Sequence, residues 1–109
     1  MWCFDLYEEA ECIVVEGDLP GFEQQDLAVF GDDSRLVLSG TRCHRVGGPG
    51  RTYFHRERRL ATLHREIQLP RPVRAEAGEV TLRQGVLRVR LPRATHGGVG
   101  RLELPFERA

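Results

Sequence analysis

The sequence predicts an all-β fold, an antiparallel β-sandwich of seven to eight short strands, on three observations. Apolar and polar residues alternate at period two in several separate stretches, Gly and Pro close most of them, and no apolar stripe of helical period reaches normal helix length. A chain of 109 residues, 40% apolar and 29% charged, has room for one domain with a modest core.

The opening "WCFDLY" mixes aromatic and polar residues and predicts a short edge strand. In "ECIVVEGD", Ile13 and Val15 share one face, with Cys12 and Val14 opposite. "LPGF" at 19–22 stops that strand, because Pro20 has no amide donor and Gly21 admits a turn. "QDLAVFG" at 25–31 and "RLVLSGT", with Leu36 and Leu38 on a shared face, flank the acidic "GDDS" and form a hairpin signal. Residues 42–56, "RCHRVGGPGRTYFHR", break the alternation around "GGPG". A loop of that length in a small domain implies a task for it, and "TYF" within it would form a strand where another edge is available.

The second half alternates more clearly. "LHREIQLP" turns Leu63, Arg65, Ile67 and Leu69 one way and His64, Glu66 and Gln68 the other, and Pro70 and Pro72 impose an extended exit. "RAEAGE" at 74–79 supports at most a turn of helix. "EVTLRQGVLRVRLPR" is a hairpin turning at Gln84-Gly85. Val80, Leu82, Leu87, Val89 and Leu91 make its apolar face, and Arg88 and Arg90 its wet face. Periodicity then disappears in "RATHGGVGR", a linker to the apolar tail "LELPFERA", where Leu102 and Leu104 either fray or dock. The expected organisation is a sandwich over 1–93 and a flexible extension over 94–109.

Net charge is zero but segregated. Residues 1–40 hold ten acids against Arg35 alone, residues 41–109 hold fifteen arginines against six acids, and there is no lysine. Opposite halves should attract within or between subunits, and near-neutrality suits self-association. No apolar run approaches the roughly 18 residues of a membrane span, and "MWCFDLYEEAE" lacks the basic-then-apolar start of a secretory signal. Cys3, Cys12 and Cys43 have no CxxC spacing, which suits reduced thiols and a cytoplasmic location.

No arrangement of reactive residues argues for an enzyme, a metal or a cofactor. His44, His55, His64 and His96, with Cys43, do not fall at zinc spacing. Ser34 and Ser39 lack a nucleophile elbow, "GGPG" has no following lysine to make a phosphate loop, and Asp32-Asp33 fits a turn. "RTYFHRERR" mixes four arginines with Tyr53, Phe54 and His55, as phosphate contact and base stacking require. Against that reading, Glu57 and Glu66 can pair locally, no nucleic-acid module frames the patch, and the acidic first segment repels phosphate, so no nucleic-acid partner is expected.

Taken together, "DLPGF" at 18–22, "LVLSGTR" at 36–42, "YFHRERR" at 53–59, "REIQLP" at 65–70 and "RQGVLRVRLPR" at 83–93 resemble the α-crystallin domain of the small heat-shock proteins, in order and separation. The resemblance implies an immunoglobulin-like sandwich and an ATP-independent holding chaperone that limits aggregation of partly unfolded clients. It also implies a homodimer of the bacterial and plant type able to form larger homo-oligomers. In that arrangement the loop at 42–56 sends a strand including Arg51, Thr52, Tyr53 and Phe54 to a neighbour's edge. Leu102 and Leu104 would match the family's aliphatic tail motif and enter a groove on another subunit, formed by Leu27 and Val29 on one strand and Val80 and Leu82 on the other. The chain departs from the family pattern at Leu60, Ala61, Leu63 and Gly78, has leucines in the tail motif, and is short ahead of the matching region. The rival reading is an adaptor or co-chaperone sandwich, which would lack the exchanged loop and the tail.

Overall fold

A strand is stable in water when its alternate residues can be buried and its backbone groups paired. The computed structural model describes residues 2–43, 50–58, 60–95 and 100–107. Eight strands meet the condition there: β1 (Phe4–Glu9), β2 (Cys12–Asp18), β3 (Leu27–Gly31), β4 (Arg35–Arg42), β5 (Ala61–Gln68), β6 (Glu79–Arg83), β7 (Val86–Pro92) and β8 (Leu102–Glu103). All pair antiparallel, in two four-stranded sheets ordered β1-β2-β7-β6 and β5-β4-β3-β8. The sheets face each other across Ile13, Val15, Val29, Leu36, Leu38, Leu63, Val80, Leu87, Val89 and Leu91, all buried.

The alternation read from the sequence matches this core. In β2 and β7 the register sets Ile13 opposite Leu91 and Val15 opposite Val89, so both strands turn the same face inward. Arg88 and Arg90 lie half-exposed on the other face. Val14 points away from Ile13, as the alternation predicts, and is also fully buried. Its register partners are Tyr7 on β1 and Arg90 on β7, whose longer side chains flank it. "RAEAGE" yields a single 3-10 turn, Ala75–Ala77.

"LPGF" forms a type II turn. Phe22 N–H donates to the Leu19 carbonyl at 3.2 Å, and Gly21 takes the positive φ of 83° that the third turn position requires. The turn is tied to the β6–β7 hairpin, because Leu19 N–H donates to the Gly85 carbonyl at 2.6 Å. Two motifs far apart in sequence thus close one end of the sandwich together. Both two-residue hairpins, Ala10-Glu11 and Gln84-Gly85, have positive φ at both positions, the type I′ geometry that suits twisted strands.

Charge segregation resolves within the chain. Glu8 accepts from Arg71 Nε at 3.0 Å and Arg93 at 2.9 Å, while Arg88 reaches Glu9 at 3.4 Å and Glu16 at 3.3 Å. These pairs are partly exposed, so each contributes no more than about 1 kcal/mol. They join the acidic β1–β2 hairpin to the basic second half.

The β3–β4 turn is held by Asp32. Its carboxylate accepts the Ser34 amide at 2.9 Å and the Arg35 amide at 2.8 Å. The Ser34 backbone bond is the main reason its carboxyl sits below the usual range; the Arg35 amide, the Ser34 hydroxyl and the Arg35 charge add to it.

Two predictions follow from these turns. Ala10 and Glu11 pay the left-handed conformation without being the residues that favour it, so Ala10→Asn with Glu11→Gly should stabilise the chain by about 1 kcal/mol, a rise of a few degrees in Tm. A lowered carboxyl pKa gives stability that is present above the unfolded value and lost as pH falls through the folded one. Asp32→Ala should therefore lower stability by about 1 kcal/mol at pH 7, and urea unfolding should show the gap to wild type closing below about pH 4.

Candidate functional site

The sandwich has two seams where a sheet edge of one layer faces an edge of the other, and a different chain segment closes each. At the first, residues just ahead of β1 reach across to β5. Trp2 Nε1 donates to the Thr62 carbonyl at 3.0 Å, and Arg65 donates to the Trp2 carbonyl at 3.3 Å. The Trp2 ring meets Phe22 edge-on at 5.4 Å, and the Arg42 guanidinium lies 5.6 Å from Trp2 and 5.7 Å from Phe22. Arg42 also donates to the Pro20 carbonyl at 2.6 Å. Trp2 therefore touches both roots of the long connection between β4 and β5, at Arg42 and at Thr62.

The alternation breaks over 42–56 and places the next strand from Leu63; in the structure regular pairing resumes slightly earlier, at Ala61. Residues 50–58 form no strand, and 51–58 are all exposed. Arg51, Thr52, Tyr53 and Phe54 all lie there, with Tyr53 43% and Phe54 97% exposed. Tyr53 is held locally, its hydroxyl 3.2 Å from Arg51 and its ring 5.7 Å from Arg56. Cys43, at the start of the loop, and Cys3, beside Trp2, are exposed free thiols, and Cys12 is a half-buried one. His55 contacts Glu57, and no group of metal-ligating side chains occurs among the described residues. His44 and His96 lie outside the described residues.

The second seam lies between β3 and β6. Leu27 and Val29 from β3 and Val80 from β6 are buried there, with Leu82 half-buried beside them. The tail fills it. β8 pairs with β3, setting Leu102 opposite Gly31 and Glu103 opposite Phe30. Leu104 N–H then donates to the Val29 carbonyl at 2.8 Å, while Phe106 bridges to Val80 and Glu107 N–H donates to the Val80 carbonyl at 2.7 Å. One extended peptide thus satisfies an edge of each sheet. Leu104 is 2% exposed, and Leu102 and Phe106 are half-buried against the core. Arg101 outside the groove stacks over Phe30 at 4.9 Å.

In the single chain described, the tail lies in the groove of its own sandwich. Phe106 went unread in the sequence, although the inward positions 102, 104 and 106 continue one period-two series through Pro105. In the sequence Trp2 falls within the edge strand that "WCFDLY" predicts. Its role rests on long-range contacts that carry no local signal.

Comparison with known proteins fits this geometry. The Hsp20/alpha crystallin family profile matches residues 5–99. A small heat shock protein C2 from Rickettsia felis is 25% identical over 100 residues, covering 92% of this chain and 65% of that protein. A 17.8 kDa class I heat shock protein from Arabidopsis thaliana is 32% identical over 90 residues, 82% of this chain and 57% of that one. The chain thus spans between half and two thirds of the length of such relatives. Among solved structures, heat shock protein 16.0 from Schizosaccharomyces pombe superposes with a TM-score of 0.71 at 27% identity, over 84% of this chain and 86% of that one. A small heat-shock protein from Xylella fastidiosa does so with a TM-score of 0.70 at 26% identity, over 96% of each chain. Members of the family are non-enzymatic chaperones. The chain belongs to the Hsp20/alpha crystallin family.

Proposed function

We propose that this protein is an ATP-independent holdase: it binds partly unfolded proteins and limits their aggregation, working in the cytoplasm as a homodimer that builds larger homo-oligomers. The observation that carries the reading is the groove between β3 and β6, an apolar slot with one unpaired backbone edge on each side, closed by a short peptide rather than by a full strand. A slot of that kind accepts any extended apolar segment, because main-chain bonds supply affinity without regard to sequence. The two four-stranded antiparallel sheets support an immunoglobulin-like description.

The energetics suit reversible holding. Full burial of Leu104 and partial burial of Leu102 are together worth roughly 2–4 kcal/mol, and ordering the tail costs a sizeable part of it. Heating or an excess of client then releases the tail and bares the groove. Tails docked in trans would link subunits by the same contacts, with Leu27, Val29, Val80 and Leu82 as the receiving surface and Leu102 and Leu104 as the anchors.

The dimer would form through the segment from Arg51 to Phe54. A 97% exposed phenylalanine loses nothing by leaving its place, and β1 offers an edge with one hydrogen-bonding side unpaired among the described strands. Exchange of two such segments is self-complementary and closes a two-fold dimer.

The deciding experiment follows light scattering from a heat-labile enzyme, with and without this protein and without nucleotide. Scattering should fall in its presence, and the same turbidity with and without it would remove the reading. Leu102→Ala with Leu104→Ala should reduce assembly mass in static light scattering while far-UV circular dichroism keeps its β signature. Phe54→Asp should move the sedimentation distribution from dimer toward monomer, roughly tenfold in dissociation constant or more, since a buried aromatic anchor is worth at least about 1.4 kcal/mol.

A further inference from the structure

The groove carries a selectivity that its aliphatic lining alone does not explain. Leu104 is a fork: its two terminal methyl groups point at two different glycines. A Cβ at Gly31 would lie 3.2 Å from Leu104 Cδ1, and a Cβ at Gly78 would lie 2.6 Å from Leu104 Cδ2 and 2.8 Å from Leu91 Cδ2. Gly78 has φ −71° and ψ 148°, open to any residue, so what this position lacks is volume rather than conformational freedom.

A leucine branches at Cγ and can place one methyl over each glycine. Isoleucine and valine branch at Cβ, beside the backbone, and offer at most one terminal methyl to the floor. Beyond this pocket the tail has a third inward residue, Phe106, packed against the core and bridged to Val80.

Resting on the tail-and-groove reading above, we propose that the Gly31–Gly78 fork and the Phe106 seat make this groove selective for the Leu-x-Leu-Pro-Phe tail of its own kind of chain over tails anchored by β-branched residues. The occupant is this chain's segment Leu102–Phe106. Gly78 and Phe106 are then specificity determinants: the first sets the shape of the second anchor, and the third anchor ties the peptide to the edge of β6.

Two measurements on the 109-residue chain test this without client, so that failure of the holdase assay and failure of the selectivity are read separately. The first is amide exchange at Leu104 and Glu107, whose N–H groups bond to Val29 and Val80. Gly78→Ala should lower protection at both by about tenfold or more, the effect of a lost fit near 1.4 kcal/mol. Val15 and Val89, in the paired centre of β2 and β7, should keep theirs. Leu104 yields before Leu91 because it follows a two-residue strand whereas Leu91 is held within β7. Unchanged protection at Leu104 and Glu107 overturns the proposal.

The second measurement uses the Leu104→Ala chain, whose own tail lacks its main anchor, as receiver for synthetic peptides. A peptide of residues 100–107 should bind about tenfold more tightly than the same peptide with isoleucine at the Leu104 position, and more tightly than one with alanine at the Phe106 position. Equal affinities for the leucine and isoleucine peptides, or no binding of either, overturn the proposal. Should Gly78→Ala fail to fold, Leu104→Ile in the otherwise native chain replaces it in the exchange experiment, with the same loss expected and the same unchanged result overturning it.

Discussion

An edge strand beside an apolar core is the constraint from which the rest of this structure follows. The outward backbone groups of β3 and β6 flank buried Val29 and Val80, and leaving them unpaired at the mouth of the core would expose both amides and aliphatic surface. Among the described residues, no strand other than β8 borders β3 on this side, and none borders β6. A segment that alternates inward and outward residues can meet both edges in turn. Leu104 bonds to Val29 on one sheet and Glu107 to Val80 on the other, with Leu102, Leu104 and Phe106 filling the space between. The tail acts as a seam between two layers more than as the fourth strand of one.

The opposite seam solves the same problem with different chemistry. There the closing groups are the Trp2 ring, the Phe22 ring and the Arg42 guanidinium, with side-chain and carbonyl hydrogen bonds in place of strand pairing. Aromatic and cation–π contacts hold one residue firmly, each worth about 0.5–1.5 kcal/mol. They fix the roots of the long connection, in which Tyr53 and Phe54 are exposed. The molecule is 58 Å long and only 22 by 21 Å across. Its longest strands have eight residues, roughly 27 Å, so a large share of that length lies outside the sheets.

Most of the sheet was legible in the sequence because period two is a local property. Ile13 and Val15, Leu36 and Leu38, and Leu87, Val89 and Leu91 declare their inward face within a few residues. The turn at "LPGF" was legible for the same reason, since Pro20 and Gly21 each act through their own backbone. What stayed hidden depends on partners distant along the chain. Val14 is buried by Tyr7 and Arg90 across two registers, and Trp2 is placed by Thr62 and Arg42. The groove residues and the two tail leucines were named from a family likeness. The missing piece was Phe106, a residue whose inward alternation is interrupted to the eye by Pro105 but not in space. Pro105 faces outward, where a missing N–H costs nothing.

Local stability should be lowest where this closure is thinnest. β8 has two residues and meets β3 through two register pairs, whereas β2 and β7 share seven. Opening free energies scale with such local pairing and burial, so the tail can leave while β2 and β7 remain intact. What it uncovers is not a disordered surface but a finished slot, because β3, β6 and the glycine floor are built into the sandwich. A preformed slot that opens by losing one peptide is ready for another without refolding, and the ordering cost falls on the incoming segment alone. On the proposed reading, that separation, a rigid receiver and a loosely held occupant, would let the same contacts serve within a chain, between chains, or toward an unfolded segment.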